Sequence, residues 1–169
     1  MKAKATSLGH PIHPMLIVFP LGLLPVASIF DIVYLYSHNG RWADISFWLI
    51  AAGVIGGLLA AVFGLIDWLG IPSGTRAKSI GLVHGLTNVV LVVLFIISWL
   101  LRRPNPAAPE LLPIVLGFIA VALSFISGWL GGELVYRLNI AVDEGAHPDS
   151  PSSLSGRSAT ERAGGPRPV

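Results

Sequence analysis

Long apolar runs alternate with short polar segments along this chain. No Asp, Glu, Lys or Arg occurs in 14–30, 45–66, 79–101 or 111–132. A hydrocarbon core of ~30 Å takes roughly 20 helical residues to cross, which the last three runs supply unaided. The first run has to pass Asp31 and continue to about Tyr36 to do the same. The pattern predicts four transmembrane helices, at about 14–36, 45–67, 79–101 and 111–137. Together they form an all-α, membrane-spanning four-helix bundle over 1–142. From Asp143 onward Ser, Pro, Gly and Arg dominate, and 143–169 reads as a disordered polar tail. Lys2 and Lys4 precede the first run, but that run is too long and too broken by proline for a signal peptide, so it stays as a membrane helix.

Small residues mark the packing sides. Gly53, Gly57, Ala61 and Gly64 fall along one side of the second helix, the first three spaced by four, a pattern that lets backbones approach closely or admits a flat cofactor. Gly117, Ser124, Gly128 and Gly131 do the same in the fourth. Pro20 and Pro25 predict a kinked first helix. Its Asp31 lies ~25 Å along the axis from Pro14, near the opposite interface, where Arg41, Arg102 or Arg103 can pair with it.

Composition supports the membrane reading: 53% of residues are apolar and 12% charged. The net charge of +2 resides in loops and tail, which speaks of topology and not of nucleic-acid binding. There is no cysteine, so thiolate chemistry, disulfides and iron–sulfur ligation by this chain are excluded. With four helices both termini share a side with the second loop. Lys2, Lys4, Arg76, Lys78 and Arg137 lie there, against Arg41, Arg102 and Arg103 opposite, which favours cytoplasmic termini.

That terminal side also collects the candidate chemistry. His10 and His13 each precede a proline and are therefore biased toward extended backbone, ~9 Å apart, with the helix expected to begin at Pro14. That spacing is too long for the two to chelate one ion unless the segment tightens, so each is a candidate partner in a site completed from other helices. His84 and Asn88 share a face of the third helix, and polar groups at such depth face the bundle. Asp67 closes the second helix. Glu133 closes the fourth, four residues ahead of Arg137 in the favourable orientation for an ion pair.

The segment from Gly9 to Leu16, GHPIHPML, followed by Phe19-Pro20-Leu21-Gly22-Leu23, resembles the signature of a bacterial four-helix membrane family of unknown function. Asp31, Gly64-Leu65-Ile66-Asp67-Trp68, His84 with Asn88, Ser98 with Arg102, and 131–137 (GGELVYR) match its later blocks in order. The similarity covers about 8–143. Many relatives carry a third histidine before the Phe-Pro of the first helix, where this chain has Val18. The family is distantly similar to b-type transmembrane cytochromes, and some relatives are fused to Rieske domains. The resemblance thus implies electron transfer, redox partner proteins and a bacterial inner membrane.

Three functional readings follow. In the first, His84 and either His13 or His10 are axial ligands to haem b. In the second, a divalent metal is held by His10, His13, His84, Asp67 and Glu133, donors suited to Zn, Fe or Mn. Asn88 or Asp67 would then orient an imidazole from behind. Both describe a redox membrane component that binds a cofactor, working in the bilayer with protein partners or as a homo-oligomer. In the third, the chain is a structural or accessory subunit whose polar cluster only locks the bundle. No arrangement suggests a hydrolase, and enzymatic activity is left open.

Overall fold

A computed structural model describes residues 1–164. A small hairpin comes first, β1 (Thr6–Ser7) paired antiparallel with β2 (His10–Pro11). Then follow α1 (Ile12–Leu16), α2 (Val18–Ser37), α3 (Gly40–Gly70), α4 (Arg76–Arg102) and α5 (Leu111–Gly132). A π-helical turn, Glu133–Arg137, continues α5. Helices α1 and α2 are consecutive parts of one span, so four helical spans are long and apolar enough to cross a membrane. The architecture is the expected all-α bundle. Large apolar side chains such as Trp48, Phe125 and Trp129 point outward, at 64%, 76% and 65% exposed. In water such a surface would be an adhesive patch, whereas in lipid it is the ordinary outside of a bundle.

Capping sets the helix starts earlier than the apolar runs do. Asn39 accepts from the Arg41 amide at 3.1 Å, so α3 begins at Gly40 and not at Ile45. Thr75 accepts from the Lys78 amide at 3.1 Å, so α4 begins at Arg76 and not at Ser79. The first span begins at Ile12, which makes His13 helical and not extended. The hairpin supplies the missing cap, because the Ala5 carbonyl accepts from the Ile12 amide at 3.0 Å. Between α3 and α4, Trp68 Nε1 donates to the Lys78 carbonyl at 3.1 Å and Lys78 Nζ donates to the Trp68 carbonyl at 2.7 Å.

The mid-bundle core is Leu24, Ala27, Ile50, Leu91, Phe95 and Ala120. Beyond it, toward the end remote from the termini, Arg102 and Asp31 form a buried ion pair, with side chains 0% and 1% exposed. Arg102 Nη1 and Nη2 donate to the two Asp31 carboxylate oxygens at 2.7 Å each. The remaining guanidinium donors reach Ser46 Oγ at 3.2 Å, the Pro113 carbonyl at 3.3 Å and Ser98 Oγ at 3.3 Å. Of the three arginines open to Asp31, the structure selects Arg102.

The glycine stripe of α3 packs closely at Gly53 and Gly56. A Cβ at Gly56 would lie 2.6 Å from Phe19 Cβ, close to the α2 backbone, whereas at Gly57 the nearest atom would be 3.5 Å away. Gly57, expected at the tight contact, has ordinary room, and Ala61 is exposed. The segment 143–164, expected to be disordered, contains a short 3₁₀ turn, Ser153–Ser155, and several side-chain bonds, with Ser150 Oγ donating to the Ala159 carbonyl at 2.6 Å. The last part of that expected tail, 165–169, lies outside the described residues.

Two outcomes follow for thermal unfolding in detergent. Asp31→Ala leaves a guanidinium buried without its counter-charge and should cost about 3–5 kcal/mol, while replacing both partners with apolar residues of similar volume should cost much less. Equal losses in the single and double variants would contradict the buried pair. Gly56→Ala should destabilise by about 1–3 kcal/mol through overpacking. Gly57→Ala should instead be neutral or stabilising by up to about 1 kcal/mol through helix propensity, and the reverse order would place the contact elsewhere.

Candidate functional site

The terminal-side end of the bundle brings His13 and His84 together, their ring centres 6.5 Å apart and their planes 89° to one another. His13 reaches across from α1 to α3, its Nδ1 2.8 Å from the Ala60 carbonyl oxygen. His84 reaches from α4 to α5, its Nδ1 3.0 Å from the Ser127 carbonyl oxygen. A carbonyl can only accept, so each Nδ1 carries the hydrogen. Each neutral ring then has its lone pair on Nε2.

Asn88, one turn beyond His84, completes the arrangement. Its amide nitrogen has two hydrogens and faces three acceptors: Ser127 Oγ at 2.6 Å, the His84 carbonyl at 2.8 Å and His84 Nε2 at 3.2 Å. The two shorter bonds use both hydrogens, and His84 Nε2 is the acceptor left in surplus. His13 Nε2 has no hydrogen-bond partner among the described residues. Over its 27 residues α4 rises ~40 Å. Centred on a ~30 Å core, that length puts His84, about 12 Å from its first residue, roughly 7 Å inside the hydrocarbon boundary.

The other residues expected at this site are engaged elsewhere. Asp67 is bonded to no imidazole: its Oδ1 accepts from the Lys4 and Ala5 amides at 2.8 and 2.9 Å. Glu133 pairs with Arg76 at 2.5 Å and not with Arg137, because the π-helical turn spoils the i,i+4 spacing of an α-helix. His10 is exposed in β2, with Nε2 3.3 Å from Ser153 Oγ. Among the described residues no three or more His, Cys, Asp or Glu side chains converge in a metal-binding group. Sequence reasoning missed Ser127, which holds both His84 and Asn88. Its place one turn before Gly131 on the small-residue face of α5 was the available signal.

A metal–nitrogen bond of about 2.0–2.1 Å and roughly 1 Å from nitrogen to ring centre put two imidazoles about 6 Å apart, centre to centre, when they face each other across one ion, and about 5 Å apart at a tetrahedral angle. The observed 6.5 Å is that of an opposed pair, an arrangement that a free ion and a haem iron share, and a tetrahedral pair would need the rings to close by about 1.5 Å. Holding Nδ1–H on a backbone carbonyl is also how metal-bound histidines are usually oriented. Of the glycines expected to make room for a flat cofactor, Gly53 and Gly64 are covered by side chains, a Cβ there meeting Leu24 at 2.6 Å and His13 Nδ1 at 2.9 Å, while Gly57 has ordinary room, with the nearest atom at 3.5 Å. A macrocycle beside Gly53 or Gly64 would need those side chains to move.

Residues 9–144 match the profile of a family described as "Predicted membrane protein (DUF2231)". No curated protein and no solved structure matches the chain.

The close fit of His13 against α3 makes Gly64→Ala a sharp probe of the pair. The added methyl should push the His13 ring off the Ala60 carbonyl and expose its Nδ1–H to exchange with solvent, as read by NMR of histidine-labelled protein. Gly131→Ala should leave the His84 ring in place with a shift of a few tenths of an ångström at most. An undisturbed His13 signal in Gly64→Ala would contradict the contact.

Proposed function

This chain belongs to the DUF2231 family of predicted membrane proteins, and we propose that it is a metal-binding membrane component whose His13 and His84 supply imidazole ligands to one ion. The observation that carries the reading is the matched pair of carbonyl-held Nδ1–H groups, which leaves an Nε2 lone pair on each of two rings whose centres lie 6.5 Å apart. Two nitrogens do not fill the coordination of Zn, Fe, Mn or Cu, and the remaining positions fall to water or an incoming ligand. Where the ion changes oxidation state, the site supports electron transfer with a membrane or soluble redox partner. The excess of Lys and Arg on the side of the termini supports a cytoplasmic placement of this end.

A second reading is favoured by one observation of its own. Asp67, Glu133, Asn88 and both Nδ1 atoms are already bonded within the chain, as they would be in an accessory subunit whose polar groups only lock its helices.

Elemental analysis of detergent-purified protein, with oxidised and dithionite-reduced spectra, separates the readings. We expect about one transition-metal ion per chain and no Soret band. His13→Ala and His84→Ala should lose the metal, and His10→Ala should keep it. A reducible Soret band would overturn the single-ion reading in favour of haem. Wild-type protein that neither retains nor takes up metal would leave the accessory-subunit reading.

A further inference from the structure

We infer that Asp67 is a positioning residue for His13, acting through the N-terminal segment and not on the imidazole itself. Helix α1 is the first turn of a continuous 26-residue span and has no side-chain cap, so its leading amides are the ones that need partners from outside the helix. What fixes its start is the Ala5 carbonyl, which takes the otherwise unpaired Ile12 amide. His13 is the next residue. Ala5 is in turn held by Asp67, whose Oδ1 gathers the consecutive Lys4 and Ala5 amides. Charge on the acceptor makes these bonds roughly twice as strong as neutral ones.

The same face of α3 receives both ends of this loop. Ala60, Gly64 and Asp67 stand at i, i+4 and i+7, so they line one side of the helix. Ala60 offers its carbonyl to His13, Gly64 leaves the space that the His13 ring fills, and Asp67 grips the strand leading out. One turn further on, Gly70 makes room for the Lys4 stem, where a Cβ would lie 2.7 Å from Lys4 Cε. The hairpin returns the chain through Leu8 and Gly9, both at positive φ, +51° and +83°. A tight turn and a carboxylate anchor thus set the register in which His13 meets Ala60. Asp67 is 9% exposed, and this register gives its buried carboxylate a purpose that direct contact with either ring does not.

The inference rests on the reading of His13 as a ligand only for its purpose, and it is tested on full-length metal-free protein so that the two can fail separately. NMR of histidine-labelled chain in detergent gives the solvent exchange rate of each ring Nδ1–H, with His84 as internal reference. In Asp67→Ala the His13 rate should rise about tenfold or more, the factor that losing one charge-assisted hydrogen bond implies for an opening equilibrium. The His84 rate should not change. Asp67→Asn, which keeps an accepting oxygen, should restore most of the protection. Ala5→Pro removes a strap donor while leaving the membrane helices untouched, and it should reproduce Asp67→Ala even if that variant folds poorly. An unchanged His13 rate in both, or equal acceleration of His13 and His84, would overturn the inference.

Discussion

Everything in this bundle is registered by a buried ion pair that lipid cannot solvate. A guanidinium in hydrocarbon must find all its partners within the protein. Arg102 of α4 finds them on every other span: Asp31 on α2, Ser46 on α3 and the Pro113 carbonyl on α5. Sliding any one span along its axis, or rotating it, would leave a donor or a carboxylate oxygen unpaired. Apolar faces tolerate such sliding because lipid and leucine are alike to one another. The polar knot is what makes one arrangement better than its neighbours.

Fixing the bundle at that end has consequences at the other. His84 lies on the stripe of α4 that also carries Asn88, Leu91, Phe95, Ser98 and Arg102, so the rotation that buries Arg102 also turns His84 inward. Between the two polar groups stand Leu91 and Phe95, 6% and 1% exposed, within the apolar core shared with Leu24, Ile50 and Ala120. Ten residues of α4 separate Asn88 from Ser98, a rise of ~15 Å. The ion pair and the histidine pair thus stand at opposite ends of one apolar core.

Much of this was legible in the sequence because membrane insertion makes strong demands on composition. Uninterrupted apolar runs located the spans, and a lone Asp31 with few arginines in reach narrowed its partner to three residues. Asn88 and His84 announced their shared face by spacing. Helix starts were less accessible, since Asn39 and Thr75 cap from outside the apolar runs and extend the helices past them. The conformation of His13 ran against its following proline because the Ala5 carbonyl, supplied by a hairpin, caps the turn from seven residues upstream. Asp67, Glu133 and Gly56 have partners fixed only once the helices are packed: an N-terminal strap, an arginine on another span, and a backbone on α2.

Two imidazoles sharing one ion is the central chemical claim, and a direct look at the ion's nitrogen ligands tests it. Copper(II), whose ligand nitrogens split its paramagnetic resonance, can be titrated into metal-free protein bearing nitrogen-15 histidine. At one equivalent the hyperfine pattern should show two imidazole nitrogens, from His13 and His84, and only one after either is replaced. A spectrum with a single imidazole nitrogen in the intact chain, or one unchanged in both variants, would contradict the account.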